Sequence, residues 1–320
     1  MNKTYVYHHN DHDGIVAAGV LYYYLMKTGI FIKDDFVFNM IDYDKKLNFD
    51  HIDFKDDDEV FFLDYSFSNE DNIKEFKKLL DRRIDGREVI WIDHHKSSIG
   101  MLEEYNISGI RNKELCGAAL TYLWFTDAYD PFNSLSTKTT PEYGLSEIFH
   151  ESKAVPKFLK YIDDYDCWKH LYSNTNDFHY GLIISNPTDM IIDRFLSYSD
   201  DIMADTYINI CDKGKEIQSY LNFEHEEYHV KMYGFEFTLP EEHGGLKCFC
   251  MNRKGNSIMF GDKLDEYDAV IPFFFVNGKW KYSIFSNKEH IDCCDIAKTY
   301  GGGGHKGAAG WTIDEFIFKE

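Results

Sequence analysis

The chain opens on a short apolar run, "TYVYHH" at 4–9, which ends in polar residues and passes into "DGIVAAGVLYYYLMKTG". The first run has the length of a buried strand. The second is apolar over a helical length, begins at Asp13 and closes on Gly29, so it predicts a helix. The alternation then repeats. "DFVFNMIDY" (35–43), "DEVFFLDYSF" (58–67) and "REVIWIDHH" (87–95) read as strands. "SNEDNIKEFKKLLDRR" (68–83) reads as an amphipathic helix with Ser68 as its N-cap. Further helices are expected near 116–129, 141–151 and 155–164.

From 186 to 232 the pattern turns helical, and "MADTYINICDKGKEIQSYLNFEHEEYHVKMY" predicts one long helix ending near Gly234. Strand-like runs follow: "FEFTL", "LKCFCMN", "SIMFG", "DAVIPFFFV" and "KWKYSIFS". A helix at 292–300 leads into "GGGGHKGAAGW" (301–311), where Ala308, Ala309 and Gly310 read as a small-residue helix start.

Strands alternating with helices predict an α/β fold with a parallel N-terminal sheet. A long helix joins it to a smaller α/β C-terminal domain with a mixed sheet. The expected boundaries are 1–200 for the first domain, 201–232 for the helical linker and 233–320 for the second domain. In open α/β sheets ligands bind beyond the carboxyl ends of the strands. Three of the predicted strands discharge carboxylate or imidazole at that edge.

Composition narrows the function classes. The 320 residues are 44% hydrophobic and 17% aromatic, which is globular rather than disordered. The formal net charge of −21 argues against a polyanion binder held by bulk electrostatics. It is compatible with phosphate chemistry carried out through metal ions, which reverse the local field. The longest apolar run near the C-terminus is too short for a bilayer, and no cationic-then-apolar leader opens the sequence. Seven Cys, an odd number without paired C-x₂-C spacing, read as buried thiols. A cytoplasmic protein with no membrane partner is expected; its oligomeric state is not read, and a homodimer is compatible with it.

Five constellations carry candidate chemistry. His9-x-Asp11-x-Asp13-Gly14 places three ligand types on one side of an extended segment. Hard divalent ions suit such carboxylates, and imidazole favours Mn²⁺. His8 and His12 fall on the other parity and read as packing residues. The alternative is a polar turn capped by Asp13. Asp64 ends an apolar run and is either a bridging carboxylate or a loop start. In Asp93-His94-His95 adjacent imidazoles on an extended run point opposite ways, so one is a ligand and the other faces substrate. Asp93 orients one of them. In "KYIDDYDCW" (160–168) Asp163, Asp164 and Asp166 compete for a ligand role. The four Gly before His305 and Lys306 expose backbone N–H groups suited to an anion.

The ordered set resembles the DHH phosphoesterase superfamily with its DHH-associated C-terminal domain, which includes RecJ-type exonucleases, nano-RNases and dinucleotide phosphodiesterases. The spacing looks most like the B-type oligoribonuclease or cyclic-nucleotide phosphodiesterase subgroup. The resemblance implies two Mn²⁺, with Mg²⁺ or another divalent ion as a substitute. It implies His9 and Asp11 as ligands of one ion, and Asp13, His94 and Asp164 as ligands of the other. Asp164 is preferred on the apolar-apolar-x-Asp pattern, with Asp163 and Asp166 as alternatives. Asp64 matches the bridging carboxylate, Asp93 the orienting residue, and His95 a catalytic group facing substrate. Gly302, Gly303, Gly304 and His305 match the loop that holds the nucleotide. Where many relatives carry an Arg, this chain has Phe285, beside Ser286, and Arg253 is the candidate replacement.

The implied activity is a Mn-dependent phosphodiesterase that hydrolyses short single-stranded oligonucleotides, or linear or cyclic dinucleotides, through a metal-activated hydroxide. The alternatives are a phosphoanhydride hydrolase acting on pyrophosphate or polyphosphate, and a non-catalytic nucleotide sensor.

Overall fold

The computed structural model describes residues 3–43, 45–50, 52–55, 57–67, 70–82, 89–96, 107–126, 144–185, 189–224 and 234–318. The chain divides into two compact units, Met1–Gly214 and Lys215–Glu320.

In the first unit, β1 (Thr4–His9), β2 (Phe36–Ile41), β3 (Glu59–Leu63) and β4 (Val89–Ile92) form a parallel sheet in the order β2-β1-β3-β4. Its helices are α1 (His12–Lys27), α2 (Glu70–Arg82), α3 (Gly117–Phe125), α4 (Leu145–Glu151), α5 (Lys157–Asp166), α6 (Thr175–Ser185) and α7 (Asp189–Ser197). Helix α8 (Ala204–Glu224) crosses the boundary between the units at Gly214. Alternate strand residues bury on opposite faces. Val6, Phe61, Leu63, Ile90 and Ile92 pack with α1, α3, α5 and α6. Tyr7, Val60, Phe62, Val89 and Trp91 pack with Phe76 and Leu79 of α2. Both faces are covered, which is why these strands read as continuous apolar runs rather than alternating ones.

Register places the chemistry. His8 is level with Leu63, and Leu63 with Ile92. The next residue on each strand is His9, Asp64 and Asp93, so all three emerge in one row at the sheet's carboxyl edge. The Asp64 amide donates to the Ile92 carbonyl at 2.9 Å, which holds that row together.

The second unit holds β5 (Gly234–Thr238), β6 (Lys247–Asn252), α9 (Lys263–Glu266), β7 (Ala269–Val276), β8 (Lys279–Phe285), α10 (Cys293–Thr299), β9 (Gly303–Gly304) and β10 (Ala308–Ile313). Its sheet order is β5-β6-β7-β8-β10-β9, mixed because β6 and β7 are parallel and the other pairs antiparallel. Two sequence expectations fail here. Ala308–Gly310 begin strand β10, not a helix, because they pair with β8 and the Gly hairpin. The 257–260 stretch is a 3₁₀ turn, not a strand. All seven Cys are free thiols, and every one except Cys167 is buried. Helix α8 is described as far as Glu224. The predicted Ser68 cap and the end of the long helix after 224 lie outside the described residues.

Candidate metal centre

The site is built at the carboxyl edge of the parallel sheet. β1 ends in His9, and the chain turns through Asp11, whose side chain caps α1 by accepting the Gly14 amide at 2.9 Å. Gly14 has to lack a side chain: a Cβ there would lie 2.3 Å from the His9 carbonyl oxygen. The tight turn brings His9 Nδ1 to 2.7 Å from Asp11 Oδ2 and 3.8 Å from Asp64 Oδ2. Burial lowers the His9 pKa, but the Asp11 and Asp64 carboxylates outweigh it and lift the ring to about 11. The pocket thus favours a positive charge at this point.

Asp13 sits in the first turn of α1 and is buried. Its carboxylate accepts the Gly117 and Ala118 amides at 2.6 and 2.7 Å, at the N-terminus of α3. Gly117 permits this approach, since a Cβ there would meet Asp64 Cβ at 2.6 Å and Asp13 Oδ2 at 3.0 Å.

Asp64 is the centre of the arrangement. It is 1% exposed, and among the described residues neither of its carboxylate oxygens has a hydrogen-bond partner. Burial and the neighbouring Asp11 raise its pKa well above the usual carboxylate range. Its backbone is left-handed, with φ of 53°. His94 Nε2 stands 3.1 Å from Asp64 Oδ1, 3.3 Å from Asp166 Oδ2 and 3.7 Å from Asp13 Oδ2. His95 Nδ1 is 2.8 Å from Asp93 Oδ1 and 3.9 Å from Asp64 Oδ1, while its Nε2 lies 3.0 Å from the Tyr43 hydroxyl. The two imidazoles therefore do not point apart. Strand β4 ends at Ile92, so the extended parity no longer applies, and both rings turn toward Asp64 with centroids 4.6 Å apart.

The fourth segment also departs from expectation. Asp164 does not enter the cluster. It accepts the Leu171 amide at 2.7 Å, the Tyr172 amide at 3.2 Å and the Thr175 hydroxyl, closing the turn after α5. Asp163 accepts the Cys116 amide at 2.7 Å and pairs with His150 and Lys169. Asp166 is the acid that reaches His94.

The donor set fits divalent ions. His9, Asp11 and Asp64 bring ligand atoms within 4.8 Å of one another, and so do Asp13, Asp64 and His94. Asp64 belongs to both groups. Carboxylates packed this closely without cations repel one another and carry a burial penalty. Positive ions between them relieve both costs.

In the second unit Gly302, Gly303, Gly304 and His305 form a hairpin against β10. A Cβ on Gly302 would lie 2.1 Å from the Gly310 carbonyl oxygen. The His305 amide donates to Ala308 at 2.7 Å. Ser286 is tied to the same loop, its amide donating to Gly307 at 3.1 Å. Arg253 follows β6, and both β7 and β8 separate that strand from β10. Phe285 packs against the cluster around Phe249 and Met251, a core role.

Residues 3–145 match the family model described as "DHH family, N-terminal domain". That stretch of the N-terminal unit is similar to a DHH domain. The chain is 20% identical over 315 residues to "Uncharacterized protein R106" of Acanthamoeba polyphaga mimivirus, covering 95% of this chain. It spans 66% of that relative's length. It also resembles the solved structure of RecJ in complex with Mn²⁺ from Thermus thermophilus, at 16% identity and a TM-score of 0.51. That match covers 99% of this chain and 50% of the RecJ chain. An exopolyphosphatase-related protein from Bacteroides fragilis matches at 14% identity and a TM-score of 0.47, over 100% of this chain and 88% of the other. At 16% identity the likeness to RecJ is one of fold.

Around the site, sequence reasoning missed Tyr43, Gly117 and Cys167. Cys167 Sγ lies 3.9 Å from His94 Nδ1 and 3.6 Å from Asp163 Oδ1. The signal for Gly117 was present in "CGAAL", a small-residue helix start. Nothing in the sequence marks Tyr43 or Cys167.

Proposed function

We propose that the chain is a Mn-dependent phosphodiesterase that hydrolyses short single-stranded oligonucleotides or dinucleotides. One observation carries the reading: a buried Asp64 carboxylate, with no hydrogen-bond partner on either oxygen among the described residues, is shared by two ligand groups. His9, Asp11 and Asp64 would hold one ion, and Asp13, Asp64, His94 and Asp166 the other. Ions held there supply Lewis-acid polarisation of a phosphoryl oxygen and a water of lowered pKa.

The remaining steps belong to the protein. The α3 amides fix Asp13 in place before substrate arrives. Asp93 holds His95 through Nδ1, and its charge outweighs burial to raise the ring's pKa. A protonated His95 is a donor to charge that develops on the phosphoryl group or leaving oxygen. Its other nitrogen, Nε2, rests 3.0 Å from the Tyr43 hydroxyl and would exchange that partner for the substrate oxygen.

The test compares a short RNA oligomer, linear and cyclic dinucleotides, and pyrophosphate as substrates with Mn²⁺ or Mg²⁺, read by product chromatography. Nucleoside monophosphates released from the oligomer or dinucleotides are expected. Turnover of pyrophosphate alone would make the protein a phosphoanhydride hydrolase. Binding of nucleotides without turnover would make it a sensor.

A further inference from the structure

A second feature adjoins the carboxylates. A cavity of about 120 Å³ is lined by Asp11, Asp13 and Asp166 together with Tyr165, Phe178 and His179. Its walls come from the first turn of α1, from α5 and from α6. His179 lies flat against Tyr165, with planes 10° apart. Phe178 is buried and stacks on Tyr161 at 4.9 Å. The rings are thus fixed by packing rather than free to rearrange.

His12, also in the wall, meets His179 nitrogen to nitrogen: the two Nδ1 atoms are 3.3 Å apart. Two ring nitrogens at that distance can share only one proton. One imidazole donates at Nδ1, and the other accepts there and therefore carries its hydrogen on Nε2. Among the described residues no hydrogen bond to either Nε2 is recorded. The donating ring is left with an acceptor at Nε2 and the other with a donor there, so in either arrangement the pair presents one donor and one acceptor.

We propose that this cavity is a subsite for the six-membered ring of a nucleobase, whose nucleotide carries the phosphate held at the metal centre. Its volume is close to that of a cavity known to accept one benzene ring, about 150 Å³. Tyr165, Phe178 and His179 bring aromatic rings to its lining, and bases stack on such rings regardless of identity. The imidazole pair presents one donor and one acceptor nitrogen, so the subsite tolerates different bases. The proposal rests on the phosphodiesterase reading, because it needs a nucleotide phosphate at the neighbouring carboxylates.

The test measures binding to the metal-loaded full chain by titration calorimetry, with a nucleoside 5′-monophosphate and ribose 5-phosphate as paired probes. Wild type should bind the nucleotide about tenfold more tightly than the sugar phosphate, the scale of one base stack. His179→Ala and, independently, Tyr165→Leu should bring the two probes within about twofold of each other. A wild-type ratio preserved in both folded variants would overturn the subsite. Dinucleotide hydrolysis by wild type is followed separately, so that failure of the phosphodiesterase reading appears as absent turnover and not as an unchanged ratio.

Discussion

Asp166 Oδ2 lies 3.3 Å from His94 Nε2. Asp164, on the same helix, is spent on the turn that follows it. Residues two apart on a helix diverge by about 200°, so only one of this pair can face the centre. The two acids should separate cleanly on substitution. Asp166→Asn should weaken Mn²⁺ binding by about 10–100-fold with little change in melting temperature. Asp164→Ala should leave the Leu171 and Tyr172 amides without their acceptor and cost about 1–3 kcal/mol of stability. Calorimetric metal titration and urea unfolding on both variants check the assignment.

Asp64→Asn keeps the side chain's shape and suits the same left-handed backbone, but it removes the shared charge. Turnover should fall by at least about 100-fold, since even residues behind the ligands cost that much in metal sites. In wild type, Mn²⁺ at about 100 times its dissociation constant should stabilise the fold by about 2.7 kcal/mol, and a chelator should reverse this. Asp64→Asn should show a much smaller shift. An equal shift in both proteins would remove Asp64 from the metal site.

Gly117→Ala probes the same centre from the backbone side. The added methyl meets Asp64 Cβ at 2.6 Å, so either α3 or Asp64 has to move. Displacing ligands by a fraction of an ångström should reduce kcat by about 10–100-fold. Activity and metal affinity measured beside circular dichroism show whether the fold survives while the site is lost.

Asp163 supplies a pH prediction. Burial raises its pKa, but His150, Lys169 and the Cys116 amide outweigh that and hold it below the usual range. Its contribution is therefore complete above the ordinary Asp value, near pH 4, and is lost as pH falls through the lower folded value. Lys169→Met removes one of the partners, so acid unfolding should begin at a higher pH. For Lys169 the sign is opposite: after burial, Asp163 raises its pKa. That half of the pair is lost only as pH climbs above the usual lysine range. Urea midpoints from pH 2 to 11 would display both limbs.

Much of the fold is legible in the sequence because β1, β3 and β4 are buried on both faces and helices lie between them. Apolar runs that stop at His9, Asp64 and Asp93 announce both the sheet and its functional edge. What stays hidden depends on geometry across elements. The choice among Asp163, Asp164 and Asp166 turns on where α5 ends and which side faces His94, and a run of three acids does not encode that. Tyr43 and Cys167 meet the site only after the chain has folded. The small residues at 308–310 look like a helix start until β8 and the Gly hairpin claim their backbone hydrogen bonds.

The left-handed backbone of Asp64 sets chemistry against foldability. A residue with a Cβ is disfavoured at φ of 53°, and a buried carboxylate beside Asp11 adds its own penalty. Glycine would suit that backbone better, and asparagine as well as aspartate, and either would remove the buried charge. Selection for thermal tolerance alone, in a medium stripped of divalent ions, should therefore discard this residue early. Its presence marks a protein kept for what the site does rather than for how well the chain holds together.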